Sequence, residues 1–573
     1  MVKFRNRETI FDLSLLALVW FVGILIVKVA GEFPLNDDWG YAITVKRFLD
    51  EGLFRPIGNA GMSLFTQTLW GALFSKAAGF SYVTLRCSSL IAGFIDIVAG
   101  YFLMREVHPS RKLALVATAT FGFCPLHVCL SYSFMTDVPF CAAFVLAALF
   151  LVRYLKYNDV RDYALAATFS VVAVLCRQVG LCLSMGFALC ILLRDGISIR
   201  NFIRSTIPLI LSAGSLIALN TWMANRGFTP AIYHVKEAQV TALWATPSEL
   251  ARIASKNLLR FGLELGLLLF PLLVMTVSRV RALPAHAFAR RTVQVAVGAF
   301  VLMALIMMVA ARKWVPLEGN MLNSTGLGPP LLRDTSILKQ PDFEALPAGI
   351  IFSLTIGSLA GGSLMIMILL SELAKWGMTQ LKSFPRIRIS PRQAPTALLL
   401  LSTAAYLFPI LGMRGFFDRY LLPVVPLLLA SLLTEFSHDE GNPGASLIGE
   451  RLAIVSLACI TTFSFLGTHD YLSWNRTRWE VLNDLVEVQK ISPESIDGGF
   501  EFNGLHSYAP HYVKTPGKSW WWVKDDLYLI TFGPVKGYES IGKHSFNRWL
   551  PPRTGYIYTL KRSSTTDGTI GRK

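Results

Sequence analysis

Charge is scarce in this sequence. Asp, Glu, Lys and Arg make up only 16% of its 573 residues, while 53% are hydrophobic and the mean hydropathy is +0.49. The apolar residues fall in runs of about 17 to 25, the length a helix needs to cross a bilayer, which is the composition of a polytopic membrane protein. Cysteine is also sparse: Cys87, Cys124, Cys129, Cys141, Cys176, Cys182, Cys190 and Cys459 all lie in or at the ends of predicted spans. None has metal-ligand spacing beside suitable histidines, so neither a disulfide framework nor a zinc site is expected. No internal repeat of the kind that marks two transporter halves is visible. A net charge of +17 raises nucleic acid as a partner. The basic residues, however, stand in short clusters between apolar runs, where they encode membrane topology, and no nucleic acid is expected.

Apolar spans are expected near 13–30, 83–104, 113–130, 138–155, 163–176, 179–193 and 206–223, then 258–277, 292–311, 348–370, 397–413, 420–436 and 452–466. That makes about thirteen. The fifth and sixth are separated only by "CRQVG", so one kinked helix is an alternative. The first run resembles a signal peptide but is too long for one and no cleavage site follows, which makes it an anchor. Lys and Arg cluster in alternate connections: Lys3, Arg5 and Arg7; Arg105, Arg111 and Lys112; Lys156 and Arg161; Arg194, Arg200 and Arg204; Arg279, Arg281, Arg290 and Arg291; Lys375, Lys382, Arg386, Arg388 and Arg392. With these in the cytoplasm, the N-terminus is cytoplasmic and the loops around Asp37, Asp137 and Asp418 share the outer side with everything after Leu466.

Residues 31–82 form the first outer loop. Its segment "GMSLFTQTLWGALFSKAAGF" reads as a helix lying in the membrane interface, since counting it as a crossing would invert every later loop against the charge bias. A transmembrane module is therefore expected over 1–467 and a small outer, periplasmic α/β domain over 468–573. In the latter, "WNRTRWEVLNDLVEVQK" has helical spacing, and "DLYLITF" and "GYIYTLKR" read as strands.

Three groups of residues carry possible chemistry. In "NDDWGYA", Asp37 and Asp38 are adjacent carboxylates that cannot both ionise cheaply, so one is raised toward the range of a general base; the competing reading is a helix N-cap. Asp137 in "SFMTDVPF" stands where one span ends and another begins, and Pro139 just inside favours a cap there too. Arg414 and Arg419 in "MRGFFDRYLLPVVP" break the topology rule, and fixed guanidiniums at an interface suit a phosphate whose attached chain stays in lipid. The plainer alternative is an ion pair with Asp418. Arg177 is a similar exception, and Asp96 within a span reads as buried against polar partners.

Together "NDDWGYA", "LFSKAAGFSYVTLRCSSLIAGF", "MTDVPF" and "RYLLPVVPLLLA" resemble the GT-C glycosyltransferases that use polyprenyl-phosphate sugars, especially protein O-mannosyltransferases and bacterial aminoarabinose transferases of lipid A. The resemblance implies a mainly α GT-C fold and a catalytic base at Asp37 or Asp38, with Asp137 positioning acceptor or base. Arg414 and Arg419 would hold the lipid phosphate. An "EKP"-like element is missing, and "FRPIGNAGMS" stands in its place with Arg55 as a substitute phosphate contact. The implied partners are a polyprenyl-phosphate sugar, a glycan, lipid or protein acceptor, and the bilayer of a multi-pass cell-membrane protein, bacterial inner membrane being the expected location. Neither a metal nor another cofactor is implied. Competing classes are a transporter or flippase for a lipid or small anion, and an assembly subunit docking through "SWWWVKDD".

Overall fold

The computed structural model describes residues 6–275, 287–317, 320–339, 343–382, 388–436 and 447–563. Of the basic clusters used for topology, Lys3, Arg5, Arg279, Arg281 and Arg386 lie outside them.

The protein is mainly helical. The chain begins with α1 (Asn6–Val27), α2 (Asp38–Glu51), α3 (Phe65–Ala78), α4 (Tyr82–Val107), α5 (Arg111–Gly122) and α6 (Pro125–Ser131). It continues through α7 (Asp137–Tyr157), α8 (Val160–Cys176), α9 (Leu181–Asp195), α10 (Ile199–Asn225), α11 (Ala231–Trp244) and α12 (Pro247–Met275). After α13 (Ala287–Ala311) comes a short hairpin, β1 (Leu322–Asn323) and β2 (Gly326–Leu327), then α14 (Ala348–Lys382), α15 (Ala394–Leu411), α16 (Val424–Phe436) and α17 (Leu447–Asn483). The chain closes with β3 (Ile496–Asp497), α18 (Phe500–Ser507), β4 (Tyr528–Thr531), β5 (Tyr538–Trp549) and β6 (Pro552–Arg562).

Each of the thirteen apolar runs is helical over most of its described residues, but fewer qualify as crossings. Ten helices among the described residues are long and apolar enough, or eleven if α5 and α6, bent by 55° at their junction, make one span. Helices α8 and α16, of 17 and 13 residues, are not among these ten. The kinked-helix alternative at "CRQVG" is not realised: Arg177 is extended, Gln178–Gly180 forms one 3-10 turn, and α9 starts anew at Leu181. The bundle is tightest where α12 meets α14. A Cβ on Gly361 would stand 2.0 Å from the Gly266 carbonyl oxygen, so only glycine permits this approach.

The segment expected in the interface is α3, which at 14 residues is not among the candidate spans. One side of it, through Thr68, Ala72 and Ser75, is buried, while Leu69 and Leu73 are exposed.

The C-terminal region is not set off by a linker. Helix α17 runs 37 residues from the bundle into it without a break, so the expected boundary after residue 467 falls inside a continuous helix. Beyond α17 stands a four-stranded sheet of order β3-β4-β6-β5, with β3 parallel to β4 and the rest antiparallel. Strands β4 and β6 coincide with the two expected from sequence, whereas β5 lies in a stretch not read as a strand. Trp521 and Trp522 of "SWWWVKDD" are buried and Trp520 alone is exposed.

Candidate functional site

The two adjacent aspartates have different environments. Asn36, held in the left-handed region at φ 59°, turns the chain into α2, so the neighbouring side chains diverge. Asp38 goes inward: its Oδ1 accepts the Leu35 N–H at 2.6 Å and its Oδ2 the Phe134 N–H at 3.1 Å. Burial pushes this carboxyl up to about 8, against the pull of those two donors and of Arg86. Asp38 therefore ties the first loop to the α6–α7 turn.

Asp37 occupies the N-cap position of α2, yet its side chain makes no capping bond. Its Oδ2 instead accepts from Arg419 Nη2 at 3.0 Å, and 27% of the side chain remains exposed against 7% for the arginine. Arg419 is aimed by Asp418, a buried carboxylate that accepts the backbone N–H groups of Met321, Leu322 and Arg419 itself. The proposed Asp418–arginine ion pair is thus replaced by a backbone anchor and a longer-range pair.

Asp137 follows the same rule. It opens α7 without acting as its N-cap and pairs with Arg177 Nη1 at 2.5 Å, both side chains being almost wholly buried. The Tyr420 ring links the two pairs, with the Arg177 guanidinium 5.8 Å and the Arg419 guanidinium 5.9 Å from its centroid.

A third cation joins them from α11. Lys236 is mostly buried, lies within electrostatic reach of Arg177, Arg419 and Asp37, and makes one long contact, 3.5 Å from Nζ to the Gly61 carbonyl. Burial lowers its pKa, and the two arginines lower it further while Asp37 raises it. Helix α11 is moored to the first loop by the Ile232 N–H on the Gly58 carbonyl and by Tyr233, whose hydroxyl receives Gln178 Nε2 at 2.8 Å and donates to the Met62 carbonyl. Sequence reasoning missed Lys236 because "AIYHVKEAQVTALW" has neither the length of a span nor a clean amphipathic period. Pro230, immediately before the helix, was the available start signal.

The structure thus brings Asp37, Asp137, Arg177 and Arg419 together and adds Lys236. It places two other expected residues elsewhere. Arg414 is exposed and pairs with Glu249 at 2.9 Å. Arg55 pairs with Glu51 and lines a separate cavity of about 460 Å³ with Arg47, Phe228 and Tyr508. Asp96 is fully buried, with His127 Nε2 3.4 Å from its Oδ2. Among the described residues, no group of three or more His, Cys, Asp or Glu has the arrangement of a metal site.

The C-terminal region braces the acidic loop from above. Glu501 at the start of α18 accepts the Asn36 N–H at 3.0 Å and is itself paired with the fully buried Arg478 at 2.9 Å. Gly504 lies against Trp39, where a Cβ would come within 2.5 Å of the indole, and Trp522 meets the same ring edge-on at 5.7 Å.

Residues 62–224, from the first loop through α10, match the family model described as dolichyl-phosphate-mannose-protein mannosyltransferase. The matched segment contains Asp137 and Arg177 but ends short of Lys236 and Arg419. No curated protein sequence matches the chain. Among solved structures, the chain is similar to ArnT from Cupriavidus metallidurans bound to undecaprenyl phosphate, at 12% identity and TM-score 0.42, covering 87% of this chain and 84% of that one. It is similar also to AglB from Archaeoglobus fulgidus, an archaeal oligosaccharyltransferase in complex with an inhibitory peptide and a dolichol-phosphate, at 14% identity and TM-score 0.38, covering 89% and 62%. A third likeness is to the arabinosyltransferase EmbB from Mycobacterium smegmatis, at 15% identity and TM-score 0.31, covering 84% and 43%.

Proposed function

We propose that this protein is a GT-C-type membrane glycosyltransferase that moves a sugar from a polyprenyl-phosphate donor to an acceptor hydroxyl on the outer face of the membrane, with inversion. The observation that carries the reading is the charge of the cluster. Three cations, Arg177, Arg419 and Lys236, converge there; Asp137 and Asp37 pair with the two arginines and Asp418 is taken up by backbone N–H groups, which leaves Lys236 with only a long contact to a carbonyl. A mostly buried cation with no carboxylate in hydrogen-bond contact calls for an anion, and a phosphate at the end of a lipid chain meets that need at a membrane surface. The family match over residues 62–224 supports the same class of donor.

The ion pair between Asp37 and Arg419 gives the site a resting state. A carboxylate held by a guanidinium is a poor base. A donor phosphate arriving at Arg419 and Lys236 competes for the guanidinium and releases Asp37, the more exposed member of the pair, to take a proton from the acceptor hydroxyl. As the hydroxyl oxygen attacks the anomeric carbon, the bond to the phosphate oxygen breaks, and negative charge grows on a phosphate already facing fixed cations. Asp137 is neutralised by Arg177 and serves to hold that arginine beside Tyr420.

The test is sugar transfer in membranes containing the protein, using a pool of labelled polyprenyl-phosphate sugars and following donor loss and label in acceptor. Consumption of one donor with label appearing in a glycan, lipid or protein supports the reading. Donor that binds and is never consumed supports the transporter or flippase reading instead.

A further inference from the structure

The cleft of about 460 Å³ beside Arg55 opens between the end of α2, the residues before α11 and the start of the segment after α18, and its volume lies within the range of ligand pockets, about 300 to 1,000 Å³. Among the described residues its charged lining is Arg47 and Arg55, with no carboxylate. Glu51, outside the lining, takes Nη2 of Arg55 with both oxygens at 3.1 Å, so the charge of Arg47 is left over. Arg47 has neither an ion pair nor a hydrogen bond among the described residues, and Nε of Arg55 is buried without a partner. The hydroxyls of Thr229 and Tyr508 are also unpaired there, and the latter lies over Gly58, where a Cβ would stand 2.5 Å from it. Guanidiniums and hydroxyls without acceptors of their own suit an oxyanion.

The position of the cleft says where the oxyanion comes from. Helix α10, a candidate span with Ile207, Ile210, Leu211 and Ile217 exposed, ends at Asn225, two residues before Gly227 of the lining. On its last turn the exposed Trp222 meets Phe54 at 6.4 Å and Phe228 at 5.9 Å, aromatic contacts of the kind found at the membrane–water interface. The cleft therefore opens at the depth of lipid head groups, where basic pockets beside membrane helices hold anionic lipids. We propose that it binds the phosphate group of a bilayer lipid on Arg47, Arg55 and Tyr508, as a second anion site separate from Arg419 and Lys236. Ala231 of the lining lies about 7.5 Å along α11 from Lys236, so a lipid held there bears on the helix that carries the third cation of the cluster. That this steadies the donor site rests on the transferase reading; that the lipid binds does not.

The experiment titrates full-length protein in detergent with fluorescent phosphatidic acid and phosphatidylcholine, with inorganic phosphate and a uronate oligosaccharide as competitors. The expected result is saturable binding of phosphatidic acid in preference to phosphatidylcholine, weakened about tenfold by Arg47→Gln, the equivalent of about 1.4 kcal/mol. Tyr508→Phe should act in the same direction, both variants should melt as the wild type does, and Lys236→Met should bind the lipid normally. Equal binding of the two lipids, or indifference to both Arg47→Gln and Tyr508→Phe, overturns the proposal. Displacement of the lipid by equimolar inorganic phosphate or uronate assigns the cleft to a soluble anion and overturns it too. Lipid binding by a protein that never consumes a polyprenyl-phosphate sugar would sink the transferase reading and leave the cleft standing, whereas donor turnover without the lipid site would do the reverse.

Discussion

Asp37 and Asp38 are one residue apart and are assigned opposite duties. Asp38 is a buried acceptor of two backbone N–H groups, and its raised pKa makes a definite pH prediction. Between its ordinary value near 4 and its folded value of about 8, the folded protein binds more protons than the unfolded chain, so stability falls as pH rises through that window. Asp418, raised to about 6, acts in the same direction over a narrower range. The melting temperature of the wild type is expected to decline from acid toward about pH 8, and Asp38→Asn to flatten that decline, as scanning fluorimetry across pH would show. Lys236 belongs to the same scale: Lys236→Met removes the cation with the weakest partner and should raise the apparent donor KM about tenfold with little change in melting. An unchanged KM would remove α11 from the site.

At the scale of elements, the clamp of α18 on α2 is what fixes the entry to the acidic loop. Arg478→Met leaves Glu501 buried without its partner, a change that costs about 3 to 5 kcal/mol in comparable pairs, and denaturant unfolding should report a loss of that order. Gly504→Val tests geometry more than charge. Its side chain enters the space of Trp39, so α18 must lift from α2 and transfer should fall more than melting does.

Sequence reasoning was strongest for these long apolar elements and weakest for short ones. The thirteen runs fall in helices because burial and hydropathy agree over many residues, while α8 and α16 are shorter than the ten candidate spans. Helix α11 and strand β5 carry mixed polar and apolar residues with no dominant period; α11 is held by Gly58, Met62 and Gln178, far away in sequence, while β5 pairs with the adjacent β6. Residues were legible where a motif set them apart from the topology rule. Arg419 was found that way, and so was Arg414, only five positions earlier yet turned out toward Glu249. No local signal separates those two, since it is the Asp418 anchor to Met321 and Leu322 that aims one of them.

For the whole molecule, the C-terminal sheet and the helical bundle form one structure joined by α17. Arg476, on the far part of that helix, donates to the Val27, Lys28 and Ala30 carbonyls at the end of α1, so the joint is closed from both sides. A chain ended at residue 467 cuts α17 in mid-course and strips the brace from Asn36. It is expected to accumulate poorly, and any folded fraction isolated by size-exclusion chromatography should not turn over donor.

In the mechanism we propose, Asp37, freed from Arg419 by the donor phosphate, is the base, and Asp38 is structural. The most direct measurement sets Asp37→Asn beside Asp38→Asn in purified protein, recording donor turnover per folded molecule and melting temperature for each. Asp37→Asn is expected to melt like the wild type and lose about 100-fold or more in turnover, the scale of a lost general base, while Asp38→Asn melts lower yet turns over in its folded fraction. Wild-type turnover by Asp37→Asn, or a fully folded and inactive Asp38→Asn, would contradict it.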